Sequence, residues 1–365
     1  MGKTSKKVKK QNAAKLAKKV AKEEKYSAND YLDKADECMD EFNFPLAKSF
    51  CERALKVEPN NIRALETAGS VLIELGEMDS AKDCFSLAIT VQPEEGHEKY
   101  MCMGQLLTGS DAVSCFHKGI ELMKTILQQD EAAAAAEKSD VMPRDIARAY
   151  CNIAEIYLTD ECFEDDADEK CKGCLQEAAK VDPEYPECHH LLASFYISKE
   201  SMDEAKEAME KGLALWLPQW KEEVQKPDGE DVADLAQSCS IGYPERIHAS
   251  KLLIELQQYE EASEILEMLL EEEDEIVETW YLLGWVNYLQ GEDYYNNARH
   301  YLQQAHKVNI EAECGDEGIV KHIDELLKEL GPEEEEEEEE EGENGEMSDI
   351  ESDDEEQEDK NAMEH

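Results

Sequence analysis

Small and apolar residues recur along this chain at intervals of three and four, in paired short stretches. The pattern is cleanest between 62 and 95. Leu65, Ala68, Gly69 and Leu72 fall on one stripe of a first predicted helix, and Ala81, Phe85 and Ala88 on one stripe of a second. Ala47, Ala54 and Pro59 recur 34 residues later as Ala81, Ala88 and Pro93, with Cys51 in register with Phe85. One helix pair of that length cannot bury its own apolar face, so successive pairs must stack into an array. Gly69 and Ala81 are small where two helix backbones approach closely. Pro93 ends the second helix, because proline lacks an N–H and clashes with the preceding turn.

Following the register outward organises most of the chain. A basic arm spans 1–27. Unit one spans about 28–61 and unit two 62–95. A short unit three, to about 125, keeps Ala112, Phe116 and Gly119. A polar, alanine-rich insert spans 126–145. Unit four, about 146–185, carries Tyr150, Ala154, Tyr157, Leu175, Ala178 and Pro183, and unit five, 186–219, carries Leu192, Ala193, Tyr196, Ala205, Met209 and Gly212. A linker at 220–242 contains Lys226-Pro227-Asp228-Gly229. Units six and seven fill 243–315, with Ser250, Leu253, Ala262 and Leu266, then Trp280, Leu283, Gly284, Ala298, Leu302 and Ala305. A helix at 316–330 is placed to cap the last apolar face. Residues 331–365, which include nine consecutive Glu, cannot bury a core and are expected to be disordered.

These positions resemble the tetratricopeptide repeat: a small residue at position eight, Ala at twenty, an aromatic at twenty-four, Ala at twenty-seven and Pro at thirty-two. Trp280, Leu283 and Gly284 match its W-x-x-L-G run. The expected fold is therefore all-α, a tetratricopeptide-repeat superhelical solenoid of about seven helix pairs. Such arrays recognise partners along an extended surface.

Charge narrows the partner. The formal net charge is −52, unevenly distributed. Residues 1–25 hold ten Lys against Glu23 and Glu24, a net of +8, and residues 332–365 carry −19, which leaves −41 on the body between. A body this acidic repels nucleic acid and anionic membranes, which need Lys/Arg patches. It attracts basic partners and speeds their capture. No apolar run approaches the ~20 residues of a membrane helix. Residues 1–25 lack the apolar core of a signal peptide. Twelve Cys in that context read as free thiols in a reducing compartment, many at helix-packing positions.

Catalytic motifs are missing: no glycine-rich phosphate loop, no H-E-x-x-H and no nucleophile elbow occurs. The chain is read as a non-enzyme without cofactor. Cys171 and Cys174 form a C-x-x-C near Cys188, His189 and His190. Zinc needs about four converging ligands, and the repeat register places Cys171 and His189 at packing positions, so no metal is assigned. The carboxylate clamp of chaperone-tail binders needs Lys and Asn where unit one has Leu32 and Asp36, which speaks against that use.

In this repeat the first helix of each unit lines the concave face through positions two, five, nine, twelve and thirteen. Those positions give Asp36, Asp40, Glu66, Glu74, Glu155, Glu187 and Glu255, with Glu278 near the rim, and Tyr281, Trp285 and Tyr288 in unit seven. Carboxylates accept charge-assisted hydrogen bonds from Lys or Arg, and aromatic faces take the aliphatic stems and cations. One such carboxylate is an ordinary solvated helix face. The set, recurring over several units, reads as a groove for a basic, extended segment. Arg63, Arg148 and Lys251 are the exceptions. Lys6, Lys7, Lys9 and Lys10 have the look of a nuclear import signal. Ser348 and Ser352, each followed three residues later by Glu, are acceptors for an acidophilic kinase, which would add about −1.5 to −2 charge each.

The layout as a whole resembles the dedicated assembly chaperones of large-subunit ribosomal protein four, which have a basic start, about seven tetratricopeptide units and a glutamate-rich end. That resemblance implies a newly made basic ribosomal client, shielded from aggregation and nucleic acid and carried to the nucleus with an import receptor. It implies a location in cytoplasm and nucleus, with no direct nucleic-acid or membrane contact. An acidic histone chaperone or a tetratricopeptide scaffold within a larger complex would share many of the same features.

Overall fold

A computed structural model describes residues 26–133, 141–224, 239–312 and 316–331. The lysine cluster Lys6, Lys7, Lys9 and Lys10, the serines Ser348 and Ser352, and the glutamate run lie outside the described residues. Among the described residues there are sixteen α-helices, one 3-10 turn at Glu292–Tyr294 and no strand. The helices pair in chain order. Unit one is α1 (Ala28–Asp40) with α2 (Phe44–Val57), and unit two is α3 (Ile62–Glu74) with α4 (Met78–Val91). Unit three is α5 (Glu98–Leu106) with α6 (Gly109–Ala133), unit four α7 (Pro143–Leu158) with α8 (Ala167–Val181), and unit five α9 (Glu187–Ser198) with α10 (Met202–Ala214). A short α11 (Leu217–Val224) follows. Unit six is α12 (Tyr243–Glu255) with α13 (Tyr259–Glu272), unit seven α14 (Val277–Gln290) with α15 (Tyr295–Ala312), and α16 (Glu317–Leu330) closes the array. The expected tetratricopeptide solenoid is the fold.

Local sequence sets the helix ends. Ser27 and Asp30 form a reciprocal capping box at the start of α1, and Asn43 and Asn61 cap α2 and α3 with their side-chain oxygens. The turn between helices repeats its backbone. Phe42, Gly76, Glu200 and Gln257 each take a left-handed conformation at the same turn position, φ 56, 73, 57 and 60. The following N–H then reaches back to a carbonyl in the last turn, as Asn43 does to Cys38 at 2.7 Å and Gln258 to Leu253 at 2.9 Å. Only unit two supplies glycine there; the other three hold side chains in a conformation that costs about 1 kcal/mol.

The stripe residues form a succession of apolar clusters along the array. Ala81, Phe85 and Ala88 are buried, and the Phe85 ring lies over Gly69 so closely that a Cβ there would come within 2.5 Å of it. Gly104 stands in the same relation to Phe116, at 2.8 Å. These glycines are required by the helix crossing, not by a turn. Each first helix packs on the first helix of the next unit from α1 to α3 to α5, and again from α7 to α9, α12, α14 and α16, while second helices share no comparable packing with one another. First helices therefore form the inner layer of the superhelix. The stack skips one step: α5 and α7 do not pack together to that extent.

Two boundaries differ from the sequence reading. The second helix of unit three does not stop at 125. It runs to Ala133, because Phe116, Ile120 and Met123 continue the stripe and Ile126 and Leu127 still pack on the unit-four core. The segment expected to be linker from 220 begins inside α11, where Trp216, Leu217 and Trp220 are buried between units five and six. Over Trp220 the Arg246 guanidinium lies at 4.5 Å, and it holds Glu272 with two contacts of 2.6 and 2.9 Å.

Candidate functional site: the inner acidic face

The inner carboxylates divide into two groups. Four of them join neighbouring units. Asp36 of α1 accepts from Arg63 of α3 at 2.6 Å, and Asp33 accepts from the same guanidinium at 3.1 Å. Glu66 of α3 stands 3.8 Å from the Lys99 ammonium of α5. Lys99 is fully buried and donates to the Glu95 carbonyl. Burial pushes the Glu66 carboxyl up while Lys99 pulls it back, and its Oε1 has no hydrogen-bond partner. Glu187 of α9 faces His190 at 3.8 Å and His248 of α12 at 3.7 Å. Burial would raise the Glu187 carboxyl, but the two imidazoles outweigh it and hold it at about 2. Glu278 of α14 takes Lys251 of α12 at 2.6 Å. Asp36, Glu66, Glu187 and Glu278 are thus junction contacts. Each has a basic partner within the array, so Asp36, Glu66 and Glu187 are not the unpaired groove positions expected, and Glu278, expected near the rim, is paired likewise. Arg63 and Lys251, exceptions in the sequence pattern, are the cations they consume. Arg148 sits against the Tyr185 hydroxyl and pulls that phenol down, but burial outweighs it and the phenol stands at about 12.

The second group is Asp40, Glu74, Glu155 and Glu255. All four are exposed and form no ion pair among the described residues. They share a place. Asp40, Glu74 and Glu255 are the last residues of α1, α3 and α12, and Glu155 lies in the last turn of α7. None of the seven first helices carries a basic residue in its last turn. A helix C-terminus carries a partial negative charge, which a base there normally offsets. Helix–turn–helix repetition points every first helix the same way, so these ends line one edge of the concave face. That edge is negative through both the backbone and the side chains. The acidic loop of unit four adds to it, though Lys170 answers Glu164 and Asp166 at 2.8 Å each.

The unit-seven aromatics are placed otherwise than expected. Tyr281 bonds His322 of α16 at 2.7 Å, Trp285 has the same imidazole at 5.9 Å, and Tyr288 donates to Glu329 at 2.7 Å. These rings pack with Ile319, Ile323 and Leu326, so α16 lies over them. Tyr281, Trp285 and Tyr288 form the seat of the last helix, a correction to their reading as client-facing rings. The signal was present in the sequence: α16 is strongly amphipathic and had to cover something apolar.

Cys171, Cys174 and Cys188 are packing residues. Cys171 and Cys188 are buried, and burial pushes both thiols up to about 12. Among the described residues no three His, Cys, Asp or Glu side chains are arranged to hold a metal. Where α5 and α7 part, a cavity of about 220 Å³ opens on the inner face. Sequence reasoning missed it, although the shortness of unit three was legible.

The Tetratricopeptide repeat family matches residues 62–95 and 186–215. A Schizosaccharomyces pombe protein named "Probable assembly chaperone of rpl4" is 31% identical over 302 residues, covering 78% of this chain and 83% of that relative. An Emericella nidulans protein of the same name is 31% identical over 253 residues, covering 66% of this chain and 59% of the relative. The solved structure titled "Assembly Chaperone of RpL4 (Acl4) (Residues 1-338)" superposes with a TM-score of 0.62 at 28% identity, over 73% of this chain and 98% of that one.

Proposed function

The chain belongs to the family of assembly chaperones of rpl4, and from that premise we propose that it holds a newly made, basic large-subunit ribosomal protein four along its inner acidic face. The observation that carries this reading is the uncompensated negative edge. Asp40, Glu74, Glu155 and Glu255 stand at or near the ends of four first helices, and no first helix supplies a base to offset its own terminus. An extended cationic segment gains there from side-chain charge and helix ends together. A basic client left alone is a polyelectrolyte that coats RNA or aggregates, and an acidic groove competes with both. The reading extends to escort from cytoplasm to nucleus, with Lys6, Lys7, Lys9 and Lys10 engaging an import receptor. Such a face neither binds nucleic acid nor rests on membranes, and it performs no catalysis.

The test is direct. Recombinant rpl4 is titrated into the full chain by calorimetry, and its aggregation is followed by light scattering with and without the chain. Binding that weakens with salt, together with suppressed scattering, supports the reading. A preference for histones over rpl4 at matched ionic strength overturns it. For escort, replacement of the four lysines by Ala is expected to keep a fluorescent fusion out of the nucleus, and unchanged nuclear signal removes that part.

A further inference from the structure

The cavity between α5 and α7 has a structural cause. α5 has nine residues, where the other first helices have twelve to sixteen. It does not pack on α7 as the other first helices pack on their neighbours, and the inner layer opens there. Glu98, Met101, Cys102 and Gln105 line one side and share one face of α5 by their spacing. Asp145, Arg148 and Asn152 face them from α7. Met123 of α6 is buried at the back.

At about 220 Å³ the space is smaller than the ~300 Å³ at which small-molecule pockets begin, and it suits a single long side chain. Its chemistry is two-part. Met101, Cys102 and Met123 offer an unbranched, polarisable apolar surface. Glu98 and Gln105 are exposed at the opening. One Asp145 oxygen accepts the Met142 N–H at 2.8 Å, which leaves the other to a ligand. Two carboxylates, Glu98 and Asp145, border the space, and the Cys102 thiol is pushed up first by burial and then by the Glu66 and Glu98 carboxylates. The opposing cation, Arg148, is drawn towards the Tyr185 hydroxyl, and His97 lies 3.6 Å from Glu98.

We propose that this cavity receives one Lys or Arg side chain of the client, its aliphatic stem along Met101, Cys102 and Met123 and its charged head between Glu98 and Asp145. The inference rests on the reading of the inner face as a holder of a basic protein, and it identifies where in the groove register is fixed. The remaining edge carboxylates act on any cation that passes; a cavity with its own walls selects one position along the segment.

The experiment uses recombinant rpl4 as the probe and the full chain in four forms: unaltered, Glu98→Gln, Gln105→Trp, and Asp40→Gln with Glu74→Gln. Gln105 is exposed, so an indole there obstructs the opening without entering the core. Circular dichroism confirms equal helix content. Glu98→Gln and Gln105→Trp are each expected to weaken binding about tenfold, the size of one lost charge-assisted contact. No binding by the unaltered chain removes the client reading and the pocket with it. Binding that is weakened by the edge pair but changed less than twofold by both pocket variants overturns the pocket alone. Binding weakened by Gln105→Trp but not by Glu98→Gln overturns the cationic occupant.

Discussion

Replacing the four edge carboxylates together, Asp40, Glu74, Glu155 and Glu255 to Gln, should weaken client binding and raise the stability of the fold. The two signs have one origin. Each carboxylate stands in the last turn of a helix whose end is already negative, with no base beside it. Removing a like charge from an exposed helix end gains about 0.3 kcal/mol, so the fourfold variant gains roughly 1 kcal/mol. On the client side, an exposed carboxylate facing a cation is worth at most about 1 kcal/mol in water. Losing four such contacts removes about 2–3 kcal/mol, a fall in affinity of roughly 30- to 150-fold. Urea unfolding reads the first quantity, and calorimetry against rpl4 at low and high salt reads the second. The matched control replaces the junction acids Asp36, Glu66, Glu187 and Glu278 by Gln. There the stability falls, because Glu66→Gln alone leaves the buried Lys99 ammonium facing no carboxylate, a loss on the order of 3 kcal/mol. The reasoning is refuted if the edge variant is the less stable of the two. It is equally refuted if edge replacement leaves affinity within threefold at low salt.

The remaining expectations concern the scaffold. Arg246→Met strands the Glu272 carboxylate, whose side chain is 6% exposed, and should cost about 3–5 kcal/mol in urea unfolding; adding Glu272→Leu should recover most of it. Gly69→Ala drives a methyl to within 2.5 Å of the Phe85 ring and should cost about 1–3 kcal/mol, measured by thermal unfolding. Phe42→Gly relieves a left-handed residue that is 81% exposed, and should raise stability by about 0.5–1 kcal/mol in the same assay. Glu187 has a folded pKa of about 2 against an ordinary 4.5, so the stability its carboxylate gains from the charged forms of His190 and His248 fades as pH falls from about 4.5 toward 2. The stability gap between the unaltered chain and Glu187→Gln should therefore narrow below pH 4.5, and a gap constant from pH 7 to 3 would contradict the assignment.

Much of this fold is legible because a repeat makes the same statement several times. The step from Ala47 to Ala81 and from Cys51 to Phe85 fixes which helix faces meet, and Gly69 marks how closely. The sign of the inner face is legible for the same reason. What one register cannot carry is the relation between neighbouring registers. Asp36 and Asp40 read alike in sequence, four residues apart on one helix, yet Arg63 of the next unit takes the first and leaves the second. That difference depends on the rise and rotation between units, a three-dimensional quantity. Tyr281 and Trp285 fail for a related reason: they are inner-face residues in the array, but the array ends there, and an exposed apolar end must be covered. The α16 helix covers it with Ile323 and Leu326. The interruption at unit three is of another kind. A first helix of nine residues breaks the step, and at a break neither repeat logic nor resemblance says what fills the gap. If the regular positions hold the client by recurring charge, as proposed, an irregular one is where a particular client residue can be told from its neighbours. The cavity bounded by Glu98, Gln105 and Asp145 is at that break.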